Sequence, residues 1–313
     1  MFPRVPSAGV WCPAVTFFDP ATDDLDLPAQ KEYYAYLARS GLTGLVILGT
    51  NAEAFLLTRE ERAQLISTAR AAVGPDYPLM AGVGGHSTRQ VLQYIQDAVT
   101  AGANYVLVLP PAYFGKATTP AVIRAFFREV AESSPLPVVI YNFPGVCNGV
   151  DLDSEMITAI AQDNSNVVGV KLTCASVGKI TRLATVLAAD RFSIFGGQAD
   201  FLIGGLSVGS AGCIAAFANV FPKTISKVYE LYKAGRVGEA LKLHQKAALA
   251  ESPCKSGIAT TKYAAAVFSA KAAGIENAEG RMRPRRPYEP PTDAAKENVK
   301  KVMAEVALIE ESL

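Results

Sequence analysis

Histidine is nearly missing from this chain: among 313 residues only His86 and His244 carry an imidazole. A His-rich zinc centre of the kind used by metal-dependent lyases therefore cannot be assembled, and no metal and no cofactor are expected. Cysteine is sparse too. Cys12, Cys147, Cys174, Cys213 and Cys254 are odd in number and scattered, with no Cys-x-x-Cys pair, so reduced thiols are expected rather than a disulfide framework. Charge of one sign is also lacking: 30 basic against 29 acidic residues leave a net charge of +1, which gives no field to gather nucleic acid or an anionic membrane. No apolar run reaches the length of a spanning helix. The first residues, Met1-Phe2-Pro3-Arg4-Val5-Pro6, pass almost directly into strand-like sequence. They leave no room for a charged-then-apolar signal or an Arg-rich presequence, and a cytoplasmic protein is the expectation.

Half of the residues are hydrophobic and only 19% are charged, as in a compact enzyme with part of its surface buried against other copies of itself. The length exceeds a common single domain but suits one α/β barrel plus an appendage. The pattern along the chain agrees. Gly9 to Phe17 reads as a strand, and Leu27 to Ser40 as a helix stopped at Gly41. Leu45 to Leu48 precedes a helix from Thr58 to Val73, whose Thr58-Arg59-Glu60-Glu61 start matches a capping box. The alternation continues through strands at 79–83, 105–109, 138–141, 167–171, 192–195 and 212–215, each followed by a helical stretch. Some eight βα units in succession predict a (β/α)8 TIM barrel over residues 1–235, with active-site residues at the C-terminal ends of the strands.

A doubly wound sheet would want a Gly-rich phosphate turn after an early strand. Gly82-Val83-Gly84-Gly85-His86-Ser87 lacks the final glycine and reads as a tight strand-to-helix turn. Residues 236–313 predict an all-helical extension, with helices at 237–250, 258–273 and 293–313. Between the second and third, Arg281 to Pro291 holds four arginines and four prolines. Without an aromatic platform this is no nucleic-acid arm, and it reads as a stiff strap over the surface.

The chemistry centres on Val167-Val168-Gly169-Val170-Lys171, a β-branched run ending on a lysine. At the rim of an apolar core an ammonium loses hydration, and the free amine can attack a ketone to give an iminium that draws electrons from a neighbouring carbon–carbon bond. Most lysines at strand ends merely snorkel to water, so the neighbouring strand ends matter. Tyr141 ends the fifth strand, Thr50-Asn51 follows the second, and Gly196-Gly197-Gln198 follows the seventh. Singly these are a rim aromatic, a helix cap and a turn. Converging on one mouth, they suit an α-keto acid: donors for its carboxylate, a phenol to move protons, and glycines that let it approach the backbone.

These residues resemble the dihydrodipicolinate synthase and N-acetylneuraminate lyase family of Schiff-base pyruvate aldolases. Gly49-Thr50-Asn51-Ala52-Glu53 is similar to that family's Gly-[Thr/Ser]-x-Gly-Glu motif, Tyr141-Asn142-Phe143-Pro144 to its Tyr-Asn-x-Pro motif, and Gly169-Val170-Lys171 to its Gly-[Ile/Val]-Lys motif. The resemblance implies that Lys171 forms the imine, Tyr141 relays protons, and Thr50 and Asn51 bind the pyruvoyl carboxylate. Gly197 and the carbonyl of Ile214 would line the same pocket. It further implies a homo-oligomer, commonly a tetramer, in which Tyr113 reaches a neighbouring subunit's site. Two departures stand out: Ala52 replaces a glycine, and Gly145-Val146-Cys147-Asn148-Gly149 lacks the arginine that dihydrodipicolinate synthases carry there. With Thr173 two residues after the lysine, the pattern looks more like the eukaryotic branch. The activity expected is class I cleavage of L-threo-3-deoxy-hexulosonate (2-keto-3-deoxy-L-galactonate) to pyruvate and L-glyceraldehyde. Cleavage of 4-hydroxy-2-oxoglutarate to pyruvate and glyoxylate comes next, then condensation of pyruvate with aspartate semialdehyde. A barrel that binds a keto acid without turning it over is the alternative of another class. Lys171 and Tyr141 together argue against it.

Overall fold

A computed structural model describes residues 4–313; Met1, Phe2 and Pro3, part of the stretch read for a targeting signal, lie outside them. Eight parallel strands close into a barrel in sequence order: β1 (Gly9–Pro13), β2 (Gly44–Ile47), β3 (Leu79–Gly82), β4 (Tyr105–Val108), β5 (Val138–Asn142), β6 (Val167–Leu172), β7 (Ser193–Gly196) and β8 (Gly212–Ile214). The helices between and after them are α1 (Leu27–Ala38), α2 (Arg59–Val73), α3 (Thr88–Thr100), α4 (Pro120–Ser133), α5 (Ser154–Asp163), α6 (Val177–Val186), α7 (Leu202–Leu206) and α8 (Pro222–Lys233). The expected TIM barrel is present. The glycine run at 82–87 leads from β3 to Ser87, whose hydroxyl caps α3 at the Gln90 amide. The capping box at Thr58 forms in full, with Glu61 returning to the Thr58 amide.

Alternation along each strand sorts side chains into two packed layers. Trp11, Val46, Met80, Tyr105, Val139, Tyr141, Phe195 and Ile214 fill the barrel interior, while Cys12, Leu45, Val106, Ile140 and Cys213 face the helices. β6 breaks the alternation. Val138 pairs with Val167 but Val139 pairs with Gly169, so Val168 is an extra residue, a β-bulge. Val168 packs inside and Val170 and Leu172 outside, which turns Lys171 inward.

After the barrel come α9 (Val237–Glu251), α10 (Ile258–Ala265), α11 (Ala278–Arg281) and α12 (Asp293–Ser312). The single helix expected over 258–273 instead widens into a π-turn at Ala266–Ala270. Ser269, in that turn, donates to the Asn219 carbonyl and meets the Tyr33 hydroxyl at 3.0 Å, so the widened turn is fixed by contacts with the barrel. The arginine-rich strap is tied down in the chain itself: Arg281 pairs with Asp26, and Arg285 forms two bonds to Glu61.

Candidate active site

The register β5–β6–β7 sets Tyr141, Lys171 and Phe195 in one row across the sheet. Lys171 is 1% exposed. Its Nζ lies 4.1 Å from the centre of the Tyr141 ring, and among the described residues no carboxylate forms an ion pair with it. Gly169 makes the bulge possible: a Cβ there would lie 2.7 Å from the Ser193 carbonyl oxygen on β7.

The Tyr141 hydroxyl is 3.2 Å from Thr50 Oγ1. Thr50 and Asn51 stand in a 3-10 turn, Thr50–Ala52, directly after β2, and both are half-buried. Ala52 has no left-handed backbone, whereas Leu48 and Glu53, on either side of the turn, do, with φ of 67° and 56°. The family's glycine is thus not required at position 52, and alanine is accommodated. A small cleft of about 10 Å³ lies beside Thr50 and Tyr141, walled by Leu48, Arg62 and Leu109.

Thr173 and Gly197 meet on the opposite side. A Cβ on Gly197 would fall 2.2 Å from Thr173 Oγ1, so only glycine lets the β7 loop lie against Thr173. The Thr173 hydroxyl is buried and has no partner. β8 ends at Ile214, whose buried side chain is inside the barrel and whose carbonyl therefore lies at the C-terminal rim. Tyr113 is set apart from this group within one chain. It is 73% exposed, with its ring 5.9 Å from His86 and 5.3 Å from Phe114.

Three networks escaped sequence reasoning. Asn142 donates to Asp151, which Lys179 also reaches at 2.6 Å, and this staples the loop after β5. Arg62 is buried without a carboxylate, donating to the Ala54 and Gly82 carbonyls and lying 4.0 Å over the Tyr94 ring; burial lowers its pKa. Glu53 and Lys262 form a fully buried ion pair at 2.5 Å, and burial pulls the lysine's pKa down against the pull of the carboxylate. The one signal in the sequence was Lys262 itself, with Lys271 one of only two charges in the helical stretch 258–273. Among the described residues, no group of three or more His, Cys, Asp or Glu is arranged to hold a metal ion. No helix there is long and apolar enough to cross a membrane.

A barrel with a lysine, a phenol and a hydroxyl meeting at its mouth is the framework of a carbon–carbon lyase. The chain belongs to the dihydrodipicolinate synthetase family, whose model matches residues 6–306, and it is an aldolase of that family. A Coccidioides immitis protein provisionally named a mitochondrial 4-hydroxy-2-oxoglutarate aldolase is 79% identical over 313 residues, covering 100% of both chains. An L-threo-3-deoxy-hexylosonate aldolase from Hypocrea jecorina is 39% identical over 84% of this chain and 86% of that one. A crystal structure of a Coccidioides immitis member of the family superposes with a TM-score of 0.95 at 75% identity, covering 100% of both chains.

The expected cytoplasmic location is overturned by the first of these relatives, which carries a mitochondrial name. The expectation rested on the lack of a presequence-like stretch before the first strand.

Proposed function

We propose that this aldolase cleaves 4-hydroxy-2-oxoglutarate to pyruvate and glyoxylate through an imine on Lys171. The full-length relative at 79% identity carries this substrate reading; the hexulosonate favoured by the sequence pattern rests on relatives near 39%. The buried, unpaired position of Lys171 supports the nucleophile, because a carboxylate partner would withhold the nitrogen lone pair. Lys171 Nζ, as the free amine, adds to C2; the Tyr141 hydroxyl gives its proton to the carbinolamine oxygen and water leaves, giving an iminium and a phenolate oxygen on Tyr141. The C3–C4 bond then breaks, its electrons moving to the iminium as an enamine, while the C4 hydroxyl gives its proton to the Tyr141 oxygen. Glyoxylate departs. The enamine takes a proton at C3, and water releases pyruvate and the free amine. Thr50 and Asn51 hold the C1 carboxylate beside the Gly197 backbone and the Ile214 carbonyl, and the unpartnered Thr173 hydroxyl donates to an oxygen on the substrate's far side. Tyr113, too exposed to serve its own site, closes that of a second copy in a homo-oligomer.

Cleavage of 4-hydroxy-2-oxoglutarate, measured as pyruvate release, is expected to exceed that of L-threo-3-deoxy-hexulosonate by about tenfold or more in kcat/KM. The scale is that of one hydrogen bond to a charged group. The reverse ranking would return the sugar acid to first place.

A further inference from the structure

The turn that carries Thr50 and Asn51 is not anchored by the barrel alone. Glu53, the residue after the turn, is a buried non-glycine in the left-handed region at φ 56°, a strained conformation that persists only where the surroundings fix it. Its amide closes the turn on the Thr50 carbonyl at 3.0 Å. Its carboxylate is held from outside the barrel: Oε2 by Lys262 Nζ of α10 at 2.5 Å, and Oε1 by the Arg285 amide of the strap at 2.8 Å. Lys262 has its own constraints, a second bond to the Arg283 carbonyl at 2.9 Å and the Phe18 ring 4.6 Å away. Both charged groups are shut off from water, where a charge-assisted bond is strong and directional.

One continuous path therefore runs from the helical extension to the reacting centre. Lys262 fixes Glu53, Glu53 fixes the Thr50–Ala52 turn, Thr50 Oγ1 meets the Tyr141 hydroxyl at 3.2 Å, and the Tyr141 ring faces Lys171. We infer that Glu53 and Lys262 are positioning residues for the keto-acid carboxylate: the extension sets the aim of Thr50 and Asn51 through the Glu53 carboxylate, chiefly by this ion pair. A buried pair is a poor source of net stability, since apolar neutral replacements often fold as well. Aim, rather than stability, is what this pair supplies.

The inference rests on the imine reading above, and its test separates the two. Pyruvate is titrated against borohydride trapping at Lys171, followed by intact mass, in the wild type and two variants. Glu53→Asp keeps the charge pair but draws the turn back by one methylene. Glu53→Gln with Lys262→Met removes both charges together, leaving neither ion uncompensated. In both variants the pyruvate concentration for half-maximal trapping should rise about tenfold, the loss expected when one hydrogen bond to a charged carboxylate is misaligned. Trapping should still reach one pyruvate per chain, and the melting temperature of Glu53→Asp should stay within a few degrees of wild type. A folded variant with unchanged half-saturation would overturn the inference, as would a loss of melting temperature with pyruvate affinity intact. Should the double variant not fold, Glu53→Asp alone decides. No trapping in the wild type would instead sink the imine reading itself.

Discussion

The floor of the barrel mouth and its rim are held in place by different means. On the floor, Tyr141, Lys171 and Phe195 are fixed by strand register, backbone to backbone, and their neighbours are the packed interior. At the rim, the loops after β2 and β7 have no ladder to hold them. The first is clamped by Lys262 through Glu53, the second by Glu251 of α9, whose carboxylate accepts from the Ala199 amide, while His244 meets the Ala199 carbonyl at 2.8 Å. A floor set by register leaves little freedom, so changes there should strike the chemical step. A rim set by buried side chains from the extension can move, so changes there should strike affinity, stability or pH response.

Removing the floor's nucleophile gives the largest effect. Lys171→Ala is expected to lower kcat by at least about 10³-fold and abolish borohydride trapping with pyruvate; retained trapping would place the imine elsewhere. Tyr141→Phe comes next, with kcat down about 10²–10⁴-fold, a smaller change in KM, and trapping at Lys171 preserved at least in part. Near-normal turnover would leave the phenol as packing only. Third is Gly169→Ala, which pushes a methyl against the Ser193 carbonyl and strains the bulge that turns Lys171 inward. A displacement of about 1 Å can cost as much as 10²-fold in rate. We expect kcat to fall about ten- to a hundredfold while circular dichroism stays that of the folded barrel. Full activity would show that the bulge tolerates a side chain and does not set the lysine's aim.

Much of the floor was legible in the sequence. Short apolar strand runs, capped helices and the lysine, tyrosine and threonine at strand ends are local signals, and the structure brings Lys171, Tyr141 and Thr50 together. The bulge was not legible. A continuous apolar run from Val167 to Val170 says nothing of one residue too many, because the surplus exists only against β5. The rim was less readable still. Glu53 and Lys262 are 209 residues apart, and neither has a local partner that would have announced the pair. The strap was read correctly as packed over the surface, but its arginines gave no hint that the backbone of Arg285 would bind Glu53. Side chains that act across the fold leave a residue type in the sequence, not an address.

The smallest effect expected separates the two rim clamps from each other. Glu53 is buried against a lysine, whereas Glu251 is buried with one carboxylate oxygen, Oε2, lacking any partner. Lys255 stands 3.8 Å away and is shared with Asp200, whose own negative charge opposes ionisation of Glu251. The thiols of Cys213 and Cys254 are pushed well up by burial and so remain neutral neighbours. Burial above all, with Lys255 opposing and Asp200 adding, pushes the Glu251 pKa up to about 7, against about 4.3 for the unfolded chain. The folded state thus holds the proton more tightly. Its contribution to stability is fully present below about pH 4 and is lost as pH rises through about 7, a span of order 3 kcal/mol. Glutamine cannot ionise, so Glu251→Gln should match wild type in melting temperature near pH 5 and exceed it by a few degrees at pH 8. Parallel melting curves for the two proteins from pH 5 to 8 would mean that Glu251 keeps one protonation state throughout.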